Sequence, residues 1–168
     1  MSIATIVVGV DGSPASHAAL RLAIDEATLR GCRVKIVACW SAWTPHLALR
    51  PNRSNGDTYE IAMAVAYEAV EAIAANPHER SIIVTECGEG EPGPTLVDVS
   101  RDAVFLVIGS TSRGALERHL DKTTVDHCLR HCDVPVIVVP FTPAGLEDID
   151  VDIEAQRAMA NSRVDARG

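Results

Sequence analysis

Five short apolar runs, each rich in β-branched residues and each cut off by a turn signal, restrict what this chain can become. They are ATIVVGV (residues 4–10), VKIVACW (34–40), SIIVTE (81–86), VFLVIG (104–109) and VPVIVVP (134–140). Apolar side chains follow one another here instead of alternating with polar ones. A strand with water on one face alternates, whereas a strand covered on both faces reads as continuous apolar sequence. The stretches between the runs change period. Ala19, Leu20, Ala23, Ile24 and Ala27 form one stripe across Pro14 to Arg30, with Ser13 as a cap, Pro14 at the first helical position and Gly31 as the stop. Ile61, Val65, Ala69 and Ile73 give Asp57 to Ala75 the same period, and shorter helices are predicted over Thr95 to Asp102 and from about Thr123 to Cys132. Thr44 to Gly56 reads as a polar loop and GEGEPGP (88–94) as a turn. Strands alternating with helices at this spacing predict a doubly wound α/β fold, a parallel sheet with helices on both faces.

The domain so described runs over residues 1–140. Residues 141–168 are acidic, then basic, and lack a strong apolar stripe, so they are expected to form a tail outside the core, either disordered or with a short helix over Ile153 to Ala160. A formal charge of -8 argues against nucleic acid or an anionic membrane surface as partner, since both require a cationic face. No apolar run approaches the length of a bilayer span, and MSIATIVVGV has no basic stretch before its apolar residues, which argues against a cleaved signal peptide. The five cysteines are odd in number and contain no CxxC pair, which suits reduced thiols and a cytoplasmic location.

In a doubly wound sheet, ligands sit beyond the carboxyl ends of the strands where the strand order reverses. Two places therefore matter. Val10, Asp11, Gly12 and Ser13 put a carboxylate and a hydroxyl between the first strand and a helix. The passage from Gly109 to Thr124, with Ser110, Ser112, Arg113, Gly114, Lys122 and Thr123, leads into a second helix whose first amides are unpaired donors. Plainer roles exist for each. Asp11 and Ser13 are ordinary turn and cap residues, Thr123 or Thr124 with Asp126 can simply start a helix, and Arg113, Arg118 and Lys122 can form a solvated face. Trp40 and Trp43 suit rim packing.

His127, Cys128, His131 and Cys132 interleave two ligand types at helical spacing. Four such residues on one helix cannot converge on one ion, so no metal is expected. No GxSxG, HExxH or phosphate-loop GxxxxGK pattern occurs, and no catalytic residue is assigned.

VVGVDGS (7–13), the long segment GEGEPGPTLVDVSRDAVFLVIGS (88–110) and LRHCDVPVIVV (129–139) together resemble the universal stress protein family, over about Ser2 to Val139. The resemblance implies a Rossmann-like five-stranded sheet of order 3-2-1-4-5, which sets Asp11 and Gly109 on one cleft. It further implies a stress-response module that binds ATP or a related adenine nucleotide, with Mg2+ as its companion, and at most slow ATP hydrolysis. Asp11 would meet adenine or ribose, the backbone of Val37, Ala38 and Cys39 would line the base, and Gly109, Ser112, Gly114, Lys122, Thr123 and Thr124 would surround the phosphates. ATP binders of the family share a motif of glycine, two residues, glycine, nine residues, then glycine with Ser or Thr. Counted from Gly109, Ser112 and Lys122 stand at the second and third glycines and Thr123 at the hydroxyl position. A β-carbon at either place narrows the room for a ligand, whereas the Lys122 ammonium adds positive potential. The alternative is an interaction protein of the same family that binds no nucleotide. In either case the family's strand order leaves Val134 to Val139 as an apolar edge, which implies a homodimer through the fifth strand.

Overall fold

β1 (Thr5–Gly9) is the central strand of a five-stranded sheet, and every pair in that sheet is parallel. The computed structural model describes residues 3–40, 55–111 and 118–141, with side-chain surroundings at 3–40, 59–110 and 124–141. The expected Thr44–Gly56 loop (up to residue 54), Trp43 and the tail from residue 142 onward lie outside the described residues.

From β1 the chain enters α1 (Pro14–Arg30), β2 (Arg33–Trp40), α2 (Asn55–Ile73), the short α3 (Pro77–Ser81) and β3 (Ile83–Glu89). It continues through α4 (Pro92–Val99), β4 (Leu106–Thr111), α5 (Arg118–His131) and β5 (Val136–Phe141). The strand order is β3-β2-β1-β4-β5, as expected. Ser13 caps α1, its hydroxyl accepting from the Ser16 amide at 3.1 Å, and Gly31 closes the helix in the left-handed region at φ 66°.

Alternation along β1 distributes its side chains between two cores. Ile6, Val8 and Val10 meet α1 and α2, together with Leu20, Ile24 and the small residues Ala19, Ala23, Ala27, Ala62, Ala66 and Ala69. Val7 points the other way and joins Leu106 and Ile108 of β4, Leu96 of α4 and Cys128 of α5. Complete burial of a Leu or Ile side chain stabilises by about 1.5–3 kcal/mol, so Leu20, Ile24, Ile36 and Leu106, all fully buried, anchor the two layers. The alanines contribute by letting helix and sheet backbones approach closely.

Several boundaries differ from the sequence expectation: α2 begins at Asn55, inside the expected loop, and β5 runs from Val136 to Phe141, two residues later than the start expected at Val134. Residues 77–81 form α3, capped by Asn76, whose side-chain oxygen accepts from the Glu79 amide at 3.0 Å, so β3 begins at Ile83 and extends to Glu89. Glu79 also accepts from Arg21 of α1 at 3.0 Å and from the Ala75 amide at 2.8 Å, and chiefly the Arg21 hydrogen bond holds its carboxyl below the ordinary range. α4 begins at Pro92, because prolines in a first turn lack only amides that would have no helical partner. β4 runs on to Thr111, where its last residues pair with Pro140 and Phe141. α5 begins at Arg118, five residues before the expected start.

Candidate functional site at the strand reversal

The chain moves outward from β1 through β2 to β3 on one side and from β4 to β5 on the other, so the order reverses between β1 and β4. Val7 pairs with Leu106 and Val8 with Val107, which brings the two strand ends onto one edge of the sheet. This is where a doubly wound sheet opens a crevice.

On the β1 side the turn is held by hydrogen bonds between neighbours in the chain. Val10 is buried and its amide donates to the Val37 carbonyl at 2.9 Å, the last bond of the β1–β2 ladder. Asp11 is exposed, and its Oδ1 accepts from the Ser13 amide at 2.9 Å, which fixes the turn just past the end of β1. Among the described residues Oδ2 has no partner. Gly12 takes φ 81°, a conformation that L side chains adopt at a cost. Ser16 was not singled out from sequence, yet it joins the turn together: it is buried, its Oγ donates to the Ser13 carbonyl at 2.9 Å and lies 3.4 Å from the Asp11 amide. The signal was present as a second serine three residues after the cap, the spacing of a capping box.

β2 supplies the next wall. The amide of Arg33 bonds toward β1 and that of Val34 toward β3, so odd-numbered residues turn their backbone groups to the β1 side. Val37 and Ala38 are buried and Cys39 is half-buried. Because the ladder ends at Val37, the N–H and C=O of Cys39 project past the end of β1, toward the crevice. The Cys39 thiol faces away from it, near Thr95 of α4, and burial pushes it up to about 11. Burial likewise pushes Cys128 up to about 12. Burial in apolar surroundings makes a thiol a poor nucleophile. Trp40 packs edge-on against Tyr59 of α2, with centroids 5.9 Å apart, which is rim packing as expected.

On the β4 side, Gly109 and Ser110 are strand residues, paired with Val139 and Pro140, rather than the opening of a loop. A β-carbon on Gly109 would lie 2.3 Å from the backbone of Ala15 and 2.7 Å from the Ser16 amide. The glycine lets the first turn of α1 sit directly on β4, a packing role invisible in one-dimensional spacing. Ser112, Arg113 and Gly114 lie outside the described residues. Lys122 and Thr123 fall in the second turn of α5, not ahead of it, and Thr124 is half-buried in the same turn. The amides that a helix leaves without internal partners are its first four, here Arg118 to Asp121.

Among the described residues no three His, Cys, Asp or Glu side chains are grouped to hold a metal ion, and no helix is long and apolar enough to cross a membrane.

A model described as the universal stress protein family matches residues 3–140. Universal stress protein Rv2623 of Mycobacterium tuberculosis (strain ATCC 25618 / H37Rv) is 31% identical over 143 residues, which cover 80% of this chain and 46% of that protein. Universal stress protein Mb2019 of Mycobacterium bovis is 29% identical over 153 residues, 82% of this chain and 48% of that protein. The chain thus spans about half the length of the curated relatives it matches. Among solved structures, the universal stress protein from Archaeoglobus fulgidus in complex with dAMP is similar at 26% identity and a TM-score of 0.56, covering 83% of this chain and 99% of that one. A universal stress protein in complex with cAMP, at 20% identity and a TM-score of 0.54 over 83% of this chain and 98% of that one, shares the fold.

Proposed function

The chain belongs to the universal stress protein family, and from that premise we propose that its crevice binds an adenine nucleotide and that occupancy biases association with partner proteins. The observation that carries this reading is the pairing of two recognition elements across the crevice. Asp11 presents a carboxylate oxygen without a partner among the described residues, suited to accept from a ribose hydroxyl, and Cys39 presents a backbone donor and acceptor side by side, suited to the edge of adenine. The similar protein complexed with dAMP supports the ligand class. ATP, with Mg2+, is the member of that class the phosphate-side residues would suit, the side chains of Ser112, Arg113, Lys122 and Thr123 and the backbone at Gly114 being the sequence's candidates for its phosphates.

Calorimetric titration with ATP, AMP and cyclic AMP tests the reading. Binding is expected with at least one of them, and Asp11→Ala should weaken it tenfold or more, since a hydrogen bond to a charged group contributes about 1.5–3 kcal/mol. Absence of heat with all three at millimolar concentration removes the nucleotide.

A second reading is favoured by the start of α5. Amides at Lys122 and Thr123 sit within the helix, where carbonyls one turn back occupy them, so any phosphate must meet the helix at Arg118 to Asp121 instead. If those four residues do not receive one, the module acts through its surface alone, without a nucleotide. In both readings a homodimer through β5 is expected, because β5 is an edge strand with half-buried Val136, Ile137, Val138 and Val139.

A further inference from the structure

α5 separates the four ligand-type residues that the sequence interleaves. Cys128 is fully buried, its Sγ 3.8 Å from the Gly93 carbonyl, and Cys132 lies with its Sγ 3.7 Å from Ser100 Oγ. His127 and His131 occupy the outer side of the same helix. Their rings are stacked, with centroids 4.3 Å apart and planes 21° apart. His131 is exposed, and His127 is half-buried against α4, where its Cβ lies 2.9 Å from the position a β-carbon on Gly93 would take.

The hydrogen bond of His131 determines what the pair can do. Its Nδ1 is 2.8 Å from the His127 carbonyl oxygen, and a carbonyl only accepts, so the proton sits on Nδ1 and the lone pair is left on Nε2. Metal-ligating histidines are commonly fixed in this way, with one ring nitrogen tied to a backbone carbonyl and the other free for the ion. The pair also lies in the last two turns of α5, where the helix dipole favours a cation.

We propose that His127 and His131 form a two-imidazole site for a late first-row divalent cation of the zinc, nickel and copper class, with water in the remaining positions. Imidazole selects these ions over Mg2+ or Ca2+, which prefer oxygen. Two nitrogens on a tetrahedral zinc ion at about 2.0–2.1 Å lie about 3.3 Å apart, a spacing of the same order as the 4.3 Å between the two ring centroids. Gly93 leaves His127 the room to lie against α4.

An ion that binds only the folded chain shifts unfolding by mass action. Urea unfolding of tag-free protein, with and without Zn2+, tests the site. At a Zn2+ concentration 100 times its dissociation constant the folding equilibrium constant should rise about 100-fold. His127→Gln and His131→Gln should each remove at least nine-tenths of that rise, while His17→Gln on α1 should keep it. Cu2+ bound to the parent chain should show two coordinated nitrogens by electron paramagnetic resonance, and one in either variant. No rise in the parent chain, or an undiminished rise in either α5 variant, overturns the proposal. Both α5 positions reach the helix surface, and the Cu2+ spectrum reads ligation directly should a variant lose stability of its own.

Discussion

The ends of β1 and β4 meet at the reversal of the sheet, and they are built on opposite plans. The β1–α1 turn satisfies itself: Asp11 holds Ser13, Ser13 holds Ser16, and Ser16 returns to the Ser13 carbonyl, all within six residues. The end of β4 leans on a distant element. Its glycine, Gly109, is needed because the first turn of α1 presses on β4, and that turn lies more than ninety residues earlier in the chain. Glycine at the first place relieves a backbone angle, and at the second it vacates a volume. The same residue type therefore predicts different costs.

Gly109→Ala gives the sharpest test of that difference. Its new carbon would overlap the Ala15 backbone, which cannot rotate away as a side chain could, so α1 must lift from β4. A loss of about 3 kcal/mol is expected by urea unfolding, the upper part of the range for overpacked cores. A loss below about 1 kcal/mol would mean that α1 is not seated on β4 as described. Gly12→Ala is the counterpart. Space exists, because the nearest neighbour of the new carbon is a Val65 methyl at 3.4 Å, and only the positive φ opposes it. The expected loss is about 1–2 kcal/mol, with Gly12→Asn smaller than Gly12→Ala because Asn tolerates the left-handed region. If Asn proves worse than Ala, crowding and not backbone angle governs that turn. Ser13→Ala should cost least, about 1 kcal/mol, since it removes one cap hydrogen bond and leaves the Asp11–Ser13 amide bond in place. Circular dichroism should show α1 retained in this variant, as its buried stripe does not depend on the cap.

The two sides of the crevice also differ in how far they could be read in advance. On the β1 side Asp11, Ser13, Pro14 and Gly31 act as local punctuation, and local punctuation survives folding unchanged. The α5 boundary did not emerge because the stretch from Arg118 to Lys122 has no cap residue ahead of it and few apolar positions, so hydrophobic periodicity begins only with Val125 and Cys128. The short α3 was passed over for a similar reason: five residues are too few to show a period, although Asn76 followed by Pro77 marked its start. Cys128 and Cys132 were correctly set apart from the histidines by helix geometry, but which pair would face the core depended on where α4 packs.

The residues alone determined the parallel sheet and its alternation with helices, because strands buried on both faces must be apolar throughout and crossover helices must carry a stripe. They also settled the capped turn after β1, whose hydrogen bonds span only neighbours in the chain. Tertiary structure alone decided that Gly109 is a seat for α1, that the Cys39 backbone projects past the end of β1, and that two imidazoles stack outward while two thiols turn inward. Each of these depends on distances between segments far apart in sequence, and a single chain read in order carries no measure of those distances.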